Sequence, residues 1–264
     1  MTDPEAPLIL RESTPAGITT LTLNQPERRN SLSMAMLESL SVALEELAGD
    51  DETRVVVLAA KGNVFCAGHD LREIREQLDQ KAALQELFRL CSKVMQQIIQ
   101  LPQPVIARAA GVATAAGCQL IASCDLAVAS DSARFATPGV NIGLFCSTPM
   151  VALSRNVSRK HAMEMLLTGE MISAQRAEEM GLVNRVVSGE NLDQTIHEMA
   201  STIAAKSSHT LRIGKEAFYR QLEMGLTDAY EYTSEVMVAN LEAADAQEGI
   251  CAFLEKRAPG WQDR

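Results

Sequence analysis

Ala110-Gly-Val-Ala-Thr-Ala-Ala-Gly-Cys-Gln-Leu-Ile-Ala-Ser-Cys-Asp125 is the stretch whose reading decides the fold. Pro104-Val-Ile-Ala-Arg108 precedes it and Leu126-Ala-Val-Ala129 follows, both short apolar runs of the kind that form buried strands. Ala113 to Gly117 are all small and mark a tight turn, and Cys118 to Ser123 continue as apolar helical turns. Such a strand, turn and helix start aim unpaired backbone N–H groups at one point, where the helix dipole also favours negative charge. The small side chains would let a ligand approach that backbone. They would equally let the helix pack closely on a sheet.

A second stretch repeats the pattern. Val64-Phe-Cys-Ala-Gly-His-Asp-Leu71 follows the apolar strand Arg54-Val-Val-Val-Leu-Ala-Ala60 and again ends at a helix start. Two backbone N–H groups, one from each turn, suit a thioester oxygen that becomes an enolate or a tetrahedral oxyanion. Together with Leu23-Asn-Gln-Pro-Glu-Arg-Arg-Asn-Ser-Leu32, Thr168-Gly-Glu-Met-Ile-Ser-Ala-Gln-Arg-Ala177, Gly181-Leu-Val-Asn184 and Phe253-Leu-Glu-Lys-Arg257, these turns resemble the crotonase (enoyl-CoA hydratase/isomerase) superfamily over nearly the whole chain. The resemblance implies an α/β fold, a crotonase-like spiral of ββα units with a C-terminal helical extension. It also implies an acyl-CoA thioester as ligand, with coenzyme A part of the substrate rather than a separate cofactor.

The site residues follow from the same resemblance. The backbones of His69 and Ala116 would form the oxyanion hole. Alanine at 116, where the family usually has glycine, keeps the donor but restricts any left-handed backbone there. Ala67 and Leu71 would line the adenine and pantetheine path with Asp70 beside them, although Asp70 and Glu73 also have the spacing of a helix capping pair. Arg29, in a loop with Arg28, would either lie near the phosphates, where a planar guanidinium binds bidentately, or stand as a solvated loop charge. Phe253 and Lys256 match positions that reach the adenine and phosphates, often across a subunit contact in a trimer or a hexamer of paired trimers. The His69 side chain either moves protons or simply packs.

Hydratases of this family hold and activate water with two glutamates. The corresponding positions here are Gln119, in Gly117-Cys118-Gln119, and Gly139, in Phe135-Ala-Thr-Pro-Gly139. Neither residue can accept and return a proton near neutral pH, and losing one such group costs about 10² to 10⁴ in rate. This resembles enoyl-CoA hydratase domain-containing proteins that lack the usual pair. Glutamate at both positions is expected to raise hydration if the pocket is otherwise intact. Cys146, Ser147 and Thr148 stand where the family lines the acyl pocket; they read either as a nucleophile or as a helix start with Pro149 in its first turn.

Length, charge and cysteine usage narrow the class of protein. The 264 residues, 47% of them hydrophobic, suffice for one large core. A net charge of -10 argues against nucleic acid or an anionic membrane as partner. No apolar run approaches the ~20 residues of a membrane span. Six cysteines without a CxxC pair read as reduced core residues, with no metal site, and Met1-Thr-Asp-Pro-Glu-Ala-Pro7 lacks a leader-like pattern, so a cytoplasmic protein is expected.

In chain order, Pro7 to Arg11 and Ile18 to Leu23 read as strands around a Pro15-Ala-Gly17 turn. Leu37, Leu40, Leu44 and Leu47 then have helical spacing, with Ser31 or Ser33 as cap. A helix over roughly 81–100 should bury Leu84, Leu87, Phe88, Cys91, Val94, Met95 and Ile98. Beyond residue 190 the pattern is helical throughout, which divides the chain into an α/β core over 1–190 and an extension over 191–264. Three functions stay open: an enoyl-CoA hydratase-like lyase of fatty-acid or acyl-CoA metabolism, a catalytically silent acyl-CoA-binding or scaffolding subunit, and a thioester hydrolase or decarboxylase.

Overall fold

The computed structural model describes residues 6–264; residues 1–5, within the segment read above for a leader, lie outside the described residues. Strands β1 (Ile9–Ser13) and β2 (Ile18–Leu23) form an antiparallel hairpin. Its turn contains Gly17 at φ +76, and a Cβ there would stand 2.6 Å from the Arg54 side chain. Every later connection in this sheet is parallel, because a helix or a second strand intervenes. Helix α1 (Met34–Ala48) leads to β3 (Val55–Ala60), which pairs with both β2 and β5 (Val105–Ala109); β7 (Leu126–Ser130) and β10 (Arg185–Val187) complete the six-stranded sheet.

A smaller sheet stands beside the first. It contains β4 (Val64–Cys66), β6 (Val112–Thr114) and β8 (Arg134–Ala136), all parallel, with β9 (Ile172–Ser173) antiparallel at its edge. Each central strand of the main sheet is thus followed by a short strand of the second, and then by a helix. After β3 and β4 come α2 (Leu71–Glu76) and α3 (Lys81–Gln100); after β5 and β6 comes α4 (Ala116–Ser123); after β7 and β8 comes α5 (Pro149–Asn156). These are the repeated ββα units expected from the sequence.

Burial explains why the runs are apolar. Ser33 caps α1 by accepting from the Met36 N–H, and Leu37, Leu40, Leu44 and Leu47 all point into the core. Helix α4 is buried on every side, so it carries no charged residue. In α3 the core stripe runs through Leu87, Leu90, Cys91, Val94, Met95 and Ile98. Phe88, expected in that stripe, is 37% exposed, and Leu90 takes the inward place.

Helices α6 (Arg159–Thr168) and α7 (Ala174–Glu179) lead to β10. Helix α8 (Leu192–Ala204), the first of the extension, covers the other face of the main sheet. Leu192, Ile196 and Ala200 pack there on Ile18, Val55, Val57, Ile106 and Val128, so the central strands are buried on both faces. Helices α9 (Ser208–Gln221), α10 (Leu226–Glu242) and α11 (Ala244–Glu255) pack on one another. Asp125, the last residue of the deciding stretch, fastens α9 to the core. Lys215 Nζ donates to its Oδ2 at 2.7 Å and to the carbonyls of Ile98 and Gln103 at 3.0 Å each, while Tyr219 donates to its Oδ1 at 2.8 Å.

Candidate active site

The parallel pairing of β4 with β6 brings Cys66 opposite Ala113, so the two turns leave the sheet side by side. Two glycines permit the approach. A Cβ on Gly117 would lie 2.1 Å from the Cys66 carbonyl oxygen. Gly68, at φ +90, would place one 3.0 Å from the Ala115 Cβ and 3.4 Å from the Ala116 nitrogen. Hydrogen bonds then fix the turns. Thr114 Oγ1 donates to the Ala67 carbonyl at 3.0 Å, Ala67 N–H to Arg29 O at 3.1 Å, and Leu32 N–H to Gly68 O at 2.8 Å.

Two donors remain. The N–H groups of His69 and Ala116 have no acceptor among the described residues. Ala116 is fully buried and opens α4, so the partial positive end of that helix adds to its N–H. An adjacent pair of free backbone donors, one of them at a helix start, is the arrangement that stabilises charge developing on an oxygen. The strain expected at Ala116 falls one residue earlier. Ala115 adopts φ 49, ψ −116, while Ala116 begins the helix with ordinary backbone.

The side chains around these donors are neutral. The His69 ring meets Phe88 edge-on at 5.0 Å, and its Nε2 is buried without a partner. Burial pushes its pKa down from 6.5 to about 4, so the imidazole is uncharged at neutral pH and a weak base. Gln119 is only 5% exposed, and its Oε1 has no partner. Gly139 lies in a 3-10 turn over Pro138–Ile142. A Cβ there would be 2.6 Å from Leu144 O and 2.9 Å from Cys146 Sγ, so a glutamate at 139 requires backbone to move, contrary to the simple replacement expected from the sequence. Burial raises the Cys146 thiol above its ordinary range, although the Gly139 N–H opposes this, so the group is a thiol rather than a nucleophilic thiolate. Thr148 holds the N-cap position of α5 but makes no side-chain capping bond.

The remaining expected residues divide into two places. Asp70 caps α2 by accepting from Arg72 N–H at 2.9 Å. Its expected capping partner, Glu73, reaches across instead to the Met34 N–H of α1 at 3.0 Å. Arg29, at φ 55, is exposed beside Ala67, and Leu71 is exposed at the start of α2. Phe253, 83% exposed, and Lys256, in the left-handed cap of α11, lie instead on the helical extension with α9 and α10 as neighbours.

Two residues that matter here escaped the sequence reading. Asn30, fully buried at φ 50, accepts from Gln25 N–H at 2.9 Å and donates to the carbonyls of Lys61 and Val64 at 2.9 and 2.8 Å, which sets the loop under the first turn. Thr137 is fully buried at the end of β8 with its Oγ1 unpartnered. Its signal was a polar residue between an apolar strand and a proline.

Residues 13–264 match the family described as enoyl-CoA hydratase/isomerase. The chain is 51% identical to enoyl-CoA hydratase domain-containing protein 3, mitochondrial, of Xenopus laevis, over 93% of this chain and 83% of that protein. It is also 51% identical to the Homo sapiens protein of that name, over 93% and 80%. A solved enoyl-CoA hydratase of Mycobacterium smegmatis superposes with a TM-score of 0.94 at 53% identity, over 97% of this chain and 99% of that one. The solved human enoyl-CoA hydratase domain-containing protein 3 gives 0.93 at 49% identity, over 96% and 100%. The mitochondrial names of the vertebrate relatives overturn the expectation of a cytoplasmic protein. Reduced cysteines and an acidic balance are compatible with either compartment, so they did not discriminate.

Proposed function

The chain belongs to the enoyl-CoA hydratase/isomerase family, and from that premise we propose that it binds an acyl-CoA thioester with the carbonyl oxygen on the N–H groups of His69 and Ala116. The observation that carries this reading is the pair of unpartnered donors held side by side by the β4–β6 pairing. Enolate or oxyanion stabilisation on an enoyl-CoA or a related thioester is the chemistry such donors support. Arg29, Ala67, Asp70 and Leu71 border the path for the coenzyme A portion. Phe253 and Lys256 would contribute across a subunit contact in a trimer or hexamer. The exposed apolar side chains of the extension, among them Leu226, Met237, Phe253 and Leu254, are consistent with such self-association.

A second reading has its own support. The acid/base positions implied by the family are Gln119 and Gly139, His69 is a neutral imidazole, and Cys146 is a protonated thiol. With none of these four positions offering a group that exchanges a proton near neutral pH, the protein would hold the thioester without hydrating it. Hydrolysis or decarboxylation on the same donors would need one further group.

One experiment separates these readings: crotonyl-CoA consumption by the purified protein, with binding of the same ester measured in parallel by calorimetry. Binding with turnover well above the no-enzyme rate establishes a hydratase-like enzyme with unusual acid/base groups. Binding without turnover establishes the silent reading. No binding refutes the site.

A further inference from the structure

Residues 29–32 lie along the first turn as a short added strand. Arg29 O accepts from the Ala67 N–H at 3.1 Å, the Leu32 N–H donates to Gly68 O at 2.8 Å, and Leu32 pairs with His69 in a parallel bridge. A residue standing opposite its partner in a parallel ladder is bonded through its neighbours, so its own N–H points to the other side. The bridge thus holds His69 in place and turns its N–H away from Leu32. This is why that donor is left without an acceptor among the described residues.

The chain reaches this register through two consecutive residues of left-handed backbone, Arg29 at φ 55 and Asn30 at φ 50. That conformation is costly for most side chains and tolerated by asparagine. Asn30 is 0% exposed, and both of its polar side-chain atoms are in use. Its Oδ1 accepts from the Gln25 N–H at 2.9 Å, which closes its own loop. Its Nδ2 donates to Lys61 O at 2.9 Å, just after β3, and to Val64 O at 2.8 Å, the first residue of β4. One side chain therefore ties the loop to the strand that delivers the first turn. Without it three backbone groups lose their partner and the two left-handed residues are free to relax, which withdraws Arg29 O and the Leu32 N–H from the turn.

We infer that Asn30 is a positioning residue for the His69 donor. Being fully buried, it acts through residues 29–32, which set where the His69 N–H points. The inference rests on the thioester reading above and adds a residue to it; no bond forms or breaks.

The test is calorimetric binding of butyryl-CoA and of its thioether S-butyl-CoA, which lacks the carbonyl oxygen. Their affinity ratio reports the bonds to that oxygen and cancels the contacts both ligands share. The full-length wild type should prefer the thioester by about ten-fold, as two ordinary hydrogen bonds allow. Asn30→Gly keeps the left-handed backbone, and Asn30→Asp keeps the shape and the acceptor but not the Nδ2 donor. Both should lower the ratio to about three-fold, since the Ala116 donor remains, with thioether affinity within about two-fold of wild type. Lys215→Met, destabilised at the α9 contact with Asp125, should keep the full ratio. An unchanged ratio in the Asn30 variants would overturn the inference and leave the thioester reading standing. Equal loss of both ligands, or a lowered ratio in Lys215→Met as well, would also overturn it, because the role would then be general stability. Equal wild-type affinity for the two ligands, or no binding of either, would bring down the thioester reading itself. Should Asn30→Gly fail to fold, Asn30→Asp decides.

Discussion

Replacing Gly139 by alanine should cost nearly as much stability as replacing it by glutamate. The obstacle stands at the first side-chain atom. A Cβ at 139 would lie 2.6 Å from Leu144 O and 2.9 Å from Cys146 Sγ, whereas ordinary contacts begin at 3.4 Å. The Leu144 carbonyl would therefore have to retreat by 3.4 − 2.6 = 0.8 Å. It belongs to backbone whose own N–H donates to Gly139 O at 2.9 Å, so retreat disturbs a closed turn. Overpacking of this kind costs about 1–3 kcal/mol. For a domain of this size that lowers the melting temperature by roughly 2–12 °C, at about 2–4 °C per kcal/mol. Urea and thermal melts of wild type, Gly139→Ala and Gly139→Glu measure it directly. The consequence for chemistry is that Gln119→Glu with Gly139→Glu should gain little hydratase activity, because the second carboxylate arrives on a displaced turn. An alanine variant melting within about 1 °C of wild type would show that the turn yields freely, and would refute the steric reasoning.

Ala115→Gly should stabilise the fold by about 0.5–1 kcal/mol, since φ 49 with ψ −116 is a conformation that glycine adopts without strain; a lower urea midpoint would contradict this. His69 should make the protein acid-labile. Its folded pKa of about 4 lies below the ordinary 6.5, so only the unfolded state binds the proton between those values. The stability present above pH 6.5 is then lost as pH falls toward 4, by ~3 kcal/mol at about 1.4 kcal/mol per pH unit. His69→Phe should lack that component, and identical stability–pH slopes in the two proteins would count against a buried, neutral ring. Lys215→Met should cost about 3–5 kcal/mol, read from denaturant melts, because it leaves the largely buried Asp125 carboxylate without its cation. A loss below about 1 kcal/mol would place that pair in effective contact with water.

The elements that depend on short-range pattern were legible. Apolar runs gave the strands, leucine spacing gave α1, and small residues gave both turns. What sequence could not supply was direction across the chain. Glu73 has the spacing of a local capping partner, yet it bonds the Met34 N–H, because packing of α2 beside the start of α1 offers that donor instead. Phe88 fits a helical stripe by spacing, yet it faces His69 on the outer side of α3, a partner 19 residues earlier in the chain. The sequence reading set a helical extension apart from the core at residue 190. The helix just beyond it is nonetheless needed to bury the second face of the main sheet, since Ile18, Val55 and Ile106 have α8 as their cover. Thr137 stayed hidden for a related reason: an orphaned hydroxyl is defined by the partners it lacks, and only three-dimensional placement shows those.

The separation of scaffold from chemistry has a physical basis here. Both N–H groups proposed to receive the thioester oxygen are backbone groups, positioned by the register of β4 on β6 and by the glycines at 68 and 117, whose absent side chains let the strands' turns touch. Substitution of neighbouring side chains leaves that geometry in place as long as the sheet pairs. The acid/base groups of such a site are side chains, and each can change without disturbing the donors. On the proposed reading, a chain that keeps Gly68 and Gly117 but carries glutamine at 119 and glycine at 139 retains the two backbone donors whether or not it retains the means to move a proton. Substitutions at the glycines and at the side-chain positions should consequently separate. Gly117→Ala, with its Cβ 2.1 Å from Cys66 O, should abolish binding of an acyl-CoA ester, whereas Gln119→Met should leave the backbone donors, and with them that binding, in place; equal loss in both variants, read by calorimetry, would refute the separation.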